Sequence, residues 1–238
     1  MPAVEVKNLI KHYGSVEAVR GISFSMESGE IFGLIGPNGA GKTTTLRILS
    51  TLLSITDGSI KIMEFDIKKK SDEIRKIISY LPEDAGAYKN LTGREYLRFI
   101  ANFFNSKNSD ELISKGIEIA DLGSRINDKV ETYSKGMKRR LLVGRALMNN
   151  PRLAILDEPT SGLDVNNAQE IRNIIKNTTK DGTTVLLSSH NMLEVEYLCD
   201  RIALIEKGII VETGKPDALM KKYSARNIEE VFTKVVKD

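Results

Sequence analysis

Apolar positions along this chain change their spacing several times, and each change marks a new element. Through the first thirty residues they alternate with polar ones, at Val4 and Val6 and again at Ile22, Phe24 and Met26. A period of two predicts half-buried antiparallel strands. Ser28-Gly29 makes a turn, and Ile31-Phe32-Gly33-Leu34-Ile35 then runs apolar without a break, the pattern of a strand covered on both faces. A glycine-rich turn follows. Lys42 to Leu53 has helical spacing, with Leu46, Leu49 and Leu53 on one face.

Residues 84–150 change character. Thr92-Gly93-Arg94-Glu95 has the spacing of a capping box, and Tyr96, Leu97, Ile100, Phe103 and Phe104 follow at helical intervals. Further helices are expected over Asp110 to Leu122 and Lys135 to Met148, with no strand pattern between them. The alternation of strand and helix then resumes: strand at Leu153–Leu156, helix at Val165–Lys176, strand at Thr183–Leu187, helix at Met192–Leu198. Arg201 to Glu206 and Ile209 to Glu212 flank Lys207-Gly208 as a tight hairpin. The expected fold is therefore α/β with a mainly parallel sheet. An antiparallel β subdomain precedes it and a helical subdomain is inserted. Residues 1–83 are expected to form the β subdomain and first part of the core, about 84–150 the helical subdomain, 151–215 the rest of the core, and 216–238 a short tail, with the residues after Tyr223 too few for a regulatory domain.

Composition narrows the class. The chain has 238 residues, with 41% hydrophobic, 28% charged and a formal charge of +3, which suits one globular domain. Lys68-Lys69-Lys70 is the densest basic run, and it fits a solvated turn better than a nucleic-acid or membrane patch. The single cysteine, Cys199, lies in an apolar helical stretch, so no intrachain disulfide forms and a reducing compartment fits. No segment approaches the roughly 18–20 apolar residues that cross a bilayer. The N-terminus lacks the basic-then-apolar order of a signal peptide.

Gly36-Pro37-Asn38-Gly39-Ala40-Gly41-Lys42-Thr43 matches the phosphate-loop pattern G-x-x-x-x-G-K-[ST]. Glycines let the backbone wrap until successive N–H groups point at a phosphate, and the following helix adds its positive end. Lys42 is expected to reach the β and γ phosphates of ATP, the Thr43 hydroxyl to ligate Mg²⁺, and Thr44 to complete the loop's nucleotide contacts. Asp157 and Glu158 end the apolar run Leu153–Leu156. A carboxylate at the carboxyl end of such a strand can hold Mg²⁺, and its neighbour can polarise an attacking water.

Several further motifs, taken with these, resemble the nucleotide-binding subunits of ATP-binding-cassette transporters over nearly the whole chain. Tyr13 matches the aromatic that stacks on adenine in that family, with Val19 nearby. Tyr80-Leu81-Pro82-Glu83 stands at the Q-loop and Tyr133-Ser134-Lys135-Gly136-Met137 at the signature motif. Ser161-Gly162-Leu163-Asp164 matches the D-loop, and His190 the switch histidine. Two positions depart from the family pattern. Glu83 replaces a glutamine, adding negative charge near the metal and removing an amide donor. The signature is Tyr-Ser-Lys-Gly-Met in place of Leu-Ser-Gly-Gly-Gln, keeping Ser134 and Gly136. Both departures, together with the run Asn90 to Glu95 and Ile228 to Phe232, are similar to the branch of drug, antibiotic, sodium and polysaccharide exporters.

The resemblance implies a P-loop NTPase core that hydrolyses ATP as one half of a head-to-tail dimer, a homodimer or a heterodimer. Lys42, Glu158 and His190 would be catalytic, and Thr43, Glu83 and Asp157 would lie at Mg²⁺. Ser134, Gly136 and Asp164 would face the partner copy's nucleotide. A separate membrane-spanning permease would hold the chain at the cytoplasmic face of the membrane. The rival expectation is a soluble ATPase of the same fold acting on ribosomes or nucleic acid. A third, a nucleotide switch without efficient turnover, fits poorly with Glu158 and His190 in place.

Overall fold

The computed structural model of the chain describes residues 2–104 and 108–237. β1 (Val4–Tyr13) and β2 (Val16–Met26) pair antiparallel and turn Val4, Val6, Leu9, Ile22 and Met26 inward. β3 (Ile31–Ile35) is buried at every residue and leads through the phosphate loop into α1 (Lys42–Leu49). β4 (Asp57–Ile62) returns beside β1, and β5 (Phe65–Asp66) closes the antiparallel sheet in the order β2-β1-β4-β5. α2 (Ser71–Ile77) then leads into β6 (Ile78–Leu81). Next come α3 (Gly93–Ala101), α4 (Ser109–Ala120) and α5 (Lys135–Leu147), and among the described residues of 84–150 no strand joins either sheet. β7 (Leu153–Asp157), α6 (Val165–Lys180), β8 (Thr184–Ser189), α7 (Met192–Leu198), β9 (Arg201–Glu206), β10 (Ile209–Gly214), α8 (Pro216–Lys222) and α9 (Ile228–Lys237) follow.

The second sheet runs β10-β9-β3-β8-β7-β6 and is parallel throughout except for the β9–β10 hairpin. Its strands are continuously apolar because the sheet separates two cores. Ile31, Ile35, Ala154, Leu156, Val185 and Leu187 face α5, α6 and the other helices of the first core. Phe32, Leu34, Leu153, Ile155 and Leu186 face α1 and the antiparallel sheet in the second. This parity decides which way each strand end points, and so it builds the site.

Element ends differ modestly from the sequence pattern. α1 stops at Leu49, short of Leu53, because Thr51 adopts a left-handed φ of 63° and Leu52 and Leu53 turn back to bond the Arg47 carbonyl. α4 ends at Ala120, short of Leu122, at a left-handed Asp121. α6 runs on to Lys180, past Lys176. β4, β5, α2 and β6 lie where the sequence pattern assigns no element, and the terminal helices α8 and α9 likewise add to it.

Candidate functional site

β3 delivers residues 36–41 to the carboxyl edge of the parallel sheet, where they wrap to the start of α1. Gly41, at φ 103°, makes a turn that a side chain resists, and a Cβ there would lie 2.6 Å from the Ala18 carbonyl. Lys42 is 5% exposed and folds back over the loop, its Nζ donating to the Gly36 and Pro37 carbonyls at 2.6 and 3.1 Å. Pro37, Asn38, Gly39, Gly41, Lys42, Thr43 and Thr44 line a cleft of about 590 Å³, whereas Ala40 is buried beneath it. A cleft of about 640 Å³ between α4 and α6 is slightly larger, but Glu111, Glu118, Glu170 and Asp181 on its walls would repel a polyphosphate.

The carboxylates arrive on β7. Asp157 continues the parity of Leu153 and Ile155, so its side chain falls on the α1 side of the sheet. There the Thr43 hydroxyl donates to its Oδ1 at 3.3 Å. The Ser188 hydroxyl, opposite it on β8, donates to the same oxygen and accepts the Glu158 N–H at 3.1 Å. The Tyr80 phenol lies 3.5 Å from Asp157 Oδ2, and burial, followed by the Asp157 charge, pushes its pKa up. Glu158 then reverses the chain at a left-handed φ of 47°, a conformation a non-glycine residue adopts at a cost of roughly 1–3 kcal/mol. The turn directs its carboxylate, only 6% exposed, to His190 Nδ1 at 2.9 Å and Lys42 Nζ at 3.6 Å.

The sequence-predicted residues thus divide in two. Lys42, Thr43, Asp157, Glu158 and His190 converge at the mouth of the phosphate loop. Glu83 shares the cleft, where its carboxylate accepts from the Ser161 hydroxyl at 3.3 Å. Among the described residues, no three His, Cys, Asp or Glu side chains gather as a metal cage. Thr43 and Asp157, a hydroxyl beside a carboxylate, nonetheless suit a hard cation that keeps other oxygen ligands. Tyr13, 45% exposed, pairs across the hairpin with Val16, which lines the cleft. Val19 is fully buried in the second core, while Val16 and Ala18 line the cleft.

Ser134, Gly136 and Asp164 lie outside this cleft. Ser134 caps α5 by accepting from Met137 N, and Asp164 caps α6 by accepting from Asn167 N. A Cβ at Gly136 would sit 1.9 Å from Asn167 Oδ1, so glycine is what lets these two helix starts touch. Lys135 extends over Gly162 of the D-loop.

Arg139 and Ser188 are the two site residues that motif order passes over. Arg139 has a sequence signal: it falls on the apolar face of α5 with Leu142, Val143 and Ala146, where a charge is out of place. Burial lowers its pKa, opposed by the charges of Glu83, Asp157 and Glu158. Ser188 carries no signal of its own, since its partner is set by strand register.

A phosphate loop after a buried strand, with a carboxylate pair at the end of another strand of the same parallel sheet, defines a P-loop ATPase domain. The ABC transporter family profile matches residues 19–161. The linearmycin resistance ATP-binding protein LnrL of Bacillus subtilis is 37% identical, the match covering 94% of this chain and 73% of that protein. Nod factor export ATP-binding protein I of Bradyrhizobium diazoefficiens is 34% identical over 97% of this chain and 76% of its own length. Among solved structures, the dimeric post-hydrolysis state of the ATP-binding cassette MJ0796 bound to ADP and Pi superposes with a TM-score of 0.77. That match has 26% identity and covers 89% of this chain and 98% of that one. The chain belongs to the ABC transporter family, as an ATP-binding and ATP-hydrolysing subunit.

Proposed function

We propose that this chain powers export through a separate membrane-spanning permease, working as a head-to-tail dimer at the cytoplasmic face of the membrane. The observation that carries the catalytic part is Glu158, a buried carboxylate held between Lys42 and His190 where the phosphate loop opens. In this reading Glu158 polarises the attacking water, while Lys42 and His190 stabilise charge on the transferring phosphoryl group. Residues 36–41, Thr43 and Thr44 cradle the phosphates, and Tyr13 stacks on adenine beside Val16. Thr43 and Asp157 would hold Mg²⁺, which supplies neutralising charge to the phosphate oxygens. Glu83 acts at the edge of that site through Ser161.

Several observations support the assembly. Ser134 and Asp164 are exposed and lie away from their own cleft, beside Val165, which is 81% exposed. A second copy would give them a nucleotide to contact. Among the described residues no helix is long and apolar enough to cross a membrane. Tyr88, Phe99 and Phe103 form an exposed edge-to-face ridge following the Glu83 loop, a surface suited to an apolar partner segment. Export is supported by the names of the relatives, one a resistance protein and one a Nod factor exporter.

The test is twofold. Glu158→Gln should bind ATP normally and lose nearly all turnover; undiminished turnover would remove Glu158 from the mechanism. Affinity capture of the tagged chain from detergent-solubilised membranes should recover a polytopic membrane protein. Recovery of ribosomal or DNA-bound proteins alone would overturn the transport reading and leave the ATPase chemistry intact.

A further inference from the structure

We infer that Arg139 is a positioning residue for hydrolysis, its guanidinium holding the Glu158 turn and the Glu83 loop together as one unit suspended from α5. Arg139 is 8% exposed and spends its donors on backbone carbonyls of two separate segments. From the catalytic turn, Pro159 O accepts Nε at 2.7 Å, while Asp157 O and Glu158 O accept Nη2 at 2.9 and 2.8 Å. From the other side, Pro82 O and Glu83 O accept Nη1 at 3.4 and 3.3 Å.

The bonds fall where the backbone most needs them. Glu158 holds a φ of 47°, which disfavours any residue with a side chain, and the three carbonyls bracketing that turn all accept from this one group. A planar guanidinium presents five N–H donors in a fixed fork spread over three nitrogens, enough for the five carbonyls of these two segments. A lysine ammonium has three donors on one nitrogen and cannot match that set. Arg139 also sits one and a half turns into the helix that Ser134 caps. Displacement of α5 relative to the parallel sheet therefore either carries the Glu158 turn and the Glu83 loop with it or breaks these bonds. This links the exposed start of α5 mechanically to the carboxylate at the phosphate loop.

The inference rests on Glu158 as the group that polarises water. Arg139→Lys and Arg139→Gln, each in the full chain, test it through melting temperature, ATP affinity and turnover, with Glu158→Gln assayed alongside. The expected result is a split: KM for ATP within about twofold of the parent, with kcat lower by about 10- to 100-fold in both variants. Turnover retained in both Arg139 variants, while lost in Glu158→Gln, would overturn the inference. So would an equal loss of ATP affinity and kcat, or failure of both variants to fold, since Arg139 would then be holding the whole domain. Turnover that survives Glu158→Gln would instead refute the catalytic assignment on which the inference stands.

Discussion

The Ser188 hydroxyl, fully buried, serves both carboxylate residues at once by donating to Asp157 and accepting the Glu158 N–H. Ser188→Ala leaves the buried Glu158 N–H without this acceptor and Asp157 Oδ1 to the Thr43 hydroxyl at 3.3 Å. The expected cost is about 1–3 kcal/mol, visible as a melting midpoint lowered by about 2–4 °C for each kcal/mol. Turnover should fall with it, and an unchanged midpoint would show that water or a neighbouring hydroxyl takes over. At this scale the sequence is most legible where chemistry is local. Lys42, Thr43, Asp157, Glu158 and His190 stand in short motifs, and all five meet at the phosphate loop. Ser188, Arg139 and Val19 are less legible because each gets its meaning from a distant partner. Ser188 faces Asp157 only through the β7–β8 register, and Val19 lies inward because the irregular β1–β2 pairing sets the facing of its strand.

Helix starts carry much of the element-scale organisation. Thr92 and Glu95 form a complete capping box at α3, as their spacing predicts. Asp164 caps α6, and hydrogen bonds from Asn167, the backbone N–H first and the side-chain amide second, hold its carboxyl below the ordinary value. A carboxyl lowered on folding contributes stability that is full above its unfolded pKa of about 3.9. That contribution is lost as pH falls through the folded value. Asp164→Ala should therefore melt below the parent at neutral pH, and the gap should close as melts are run below about pH 4. A gap that persists into acid would assign the effect to something other than the ionised carboxylate. The strong periodic elements were legible within a few residues at each end. β4, β5, α2 and β6 were not, because they are short, and the strands among them are held by neighbours rather than by their own pattern: β4 by β1, β5 by β4 and β6 by β7.

For the molecule as a whole, the separation of Ser134 and Asp164 from the phosphate loop is the main organisational fact. Glu158→Gln with ATP and Mg²⁺ should run as a dimer in size-exclusion chromatography with light scattering, and as a monomer without nucleotide. Ser134→Arg, folded by its melting curve, should abolish the ATP-dependent dimer. A dimer indifferent to both would place the contact on another surface. The sequence by itself determined the class of fold, the phosphate loop and the order of its chemical motifs. These depend on local periodicity and on residue types that phosphate chemistry restricts. Only the tertiary structure decided which of those motifs converge within one chain, which way Glu83 turns, and that one buried arginine on α5 joins two loops. Each of these is set by sheet order, strand parity and the packing of helices distant in sequence, and no local window of residues contains that information.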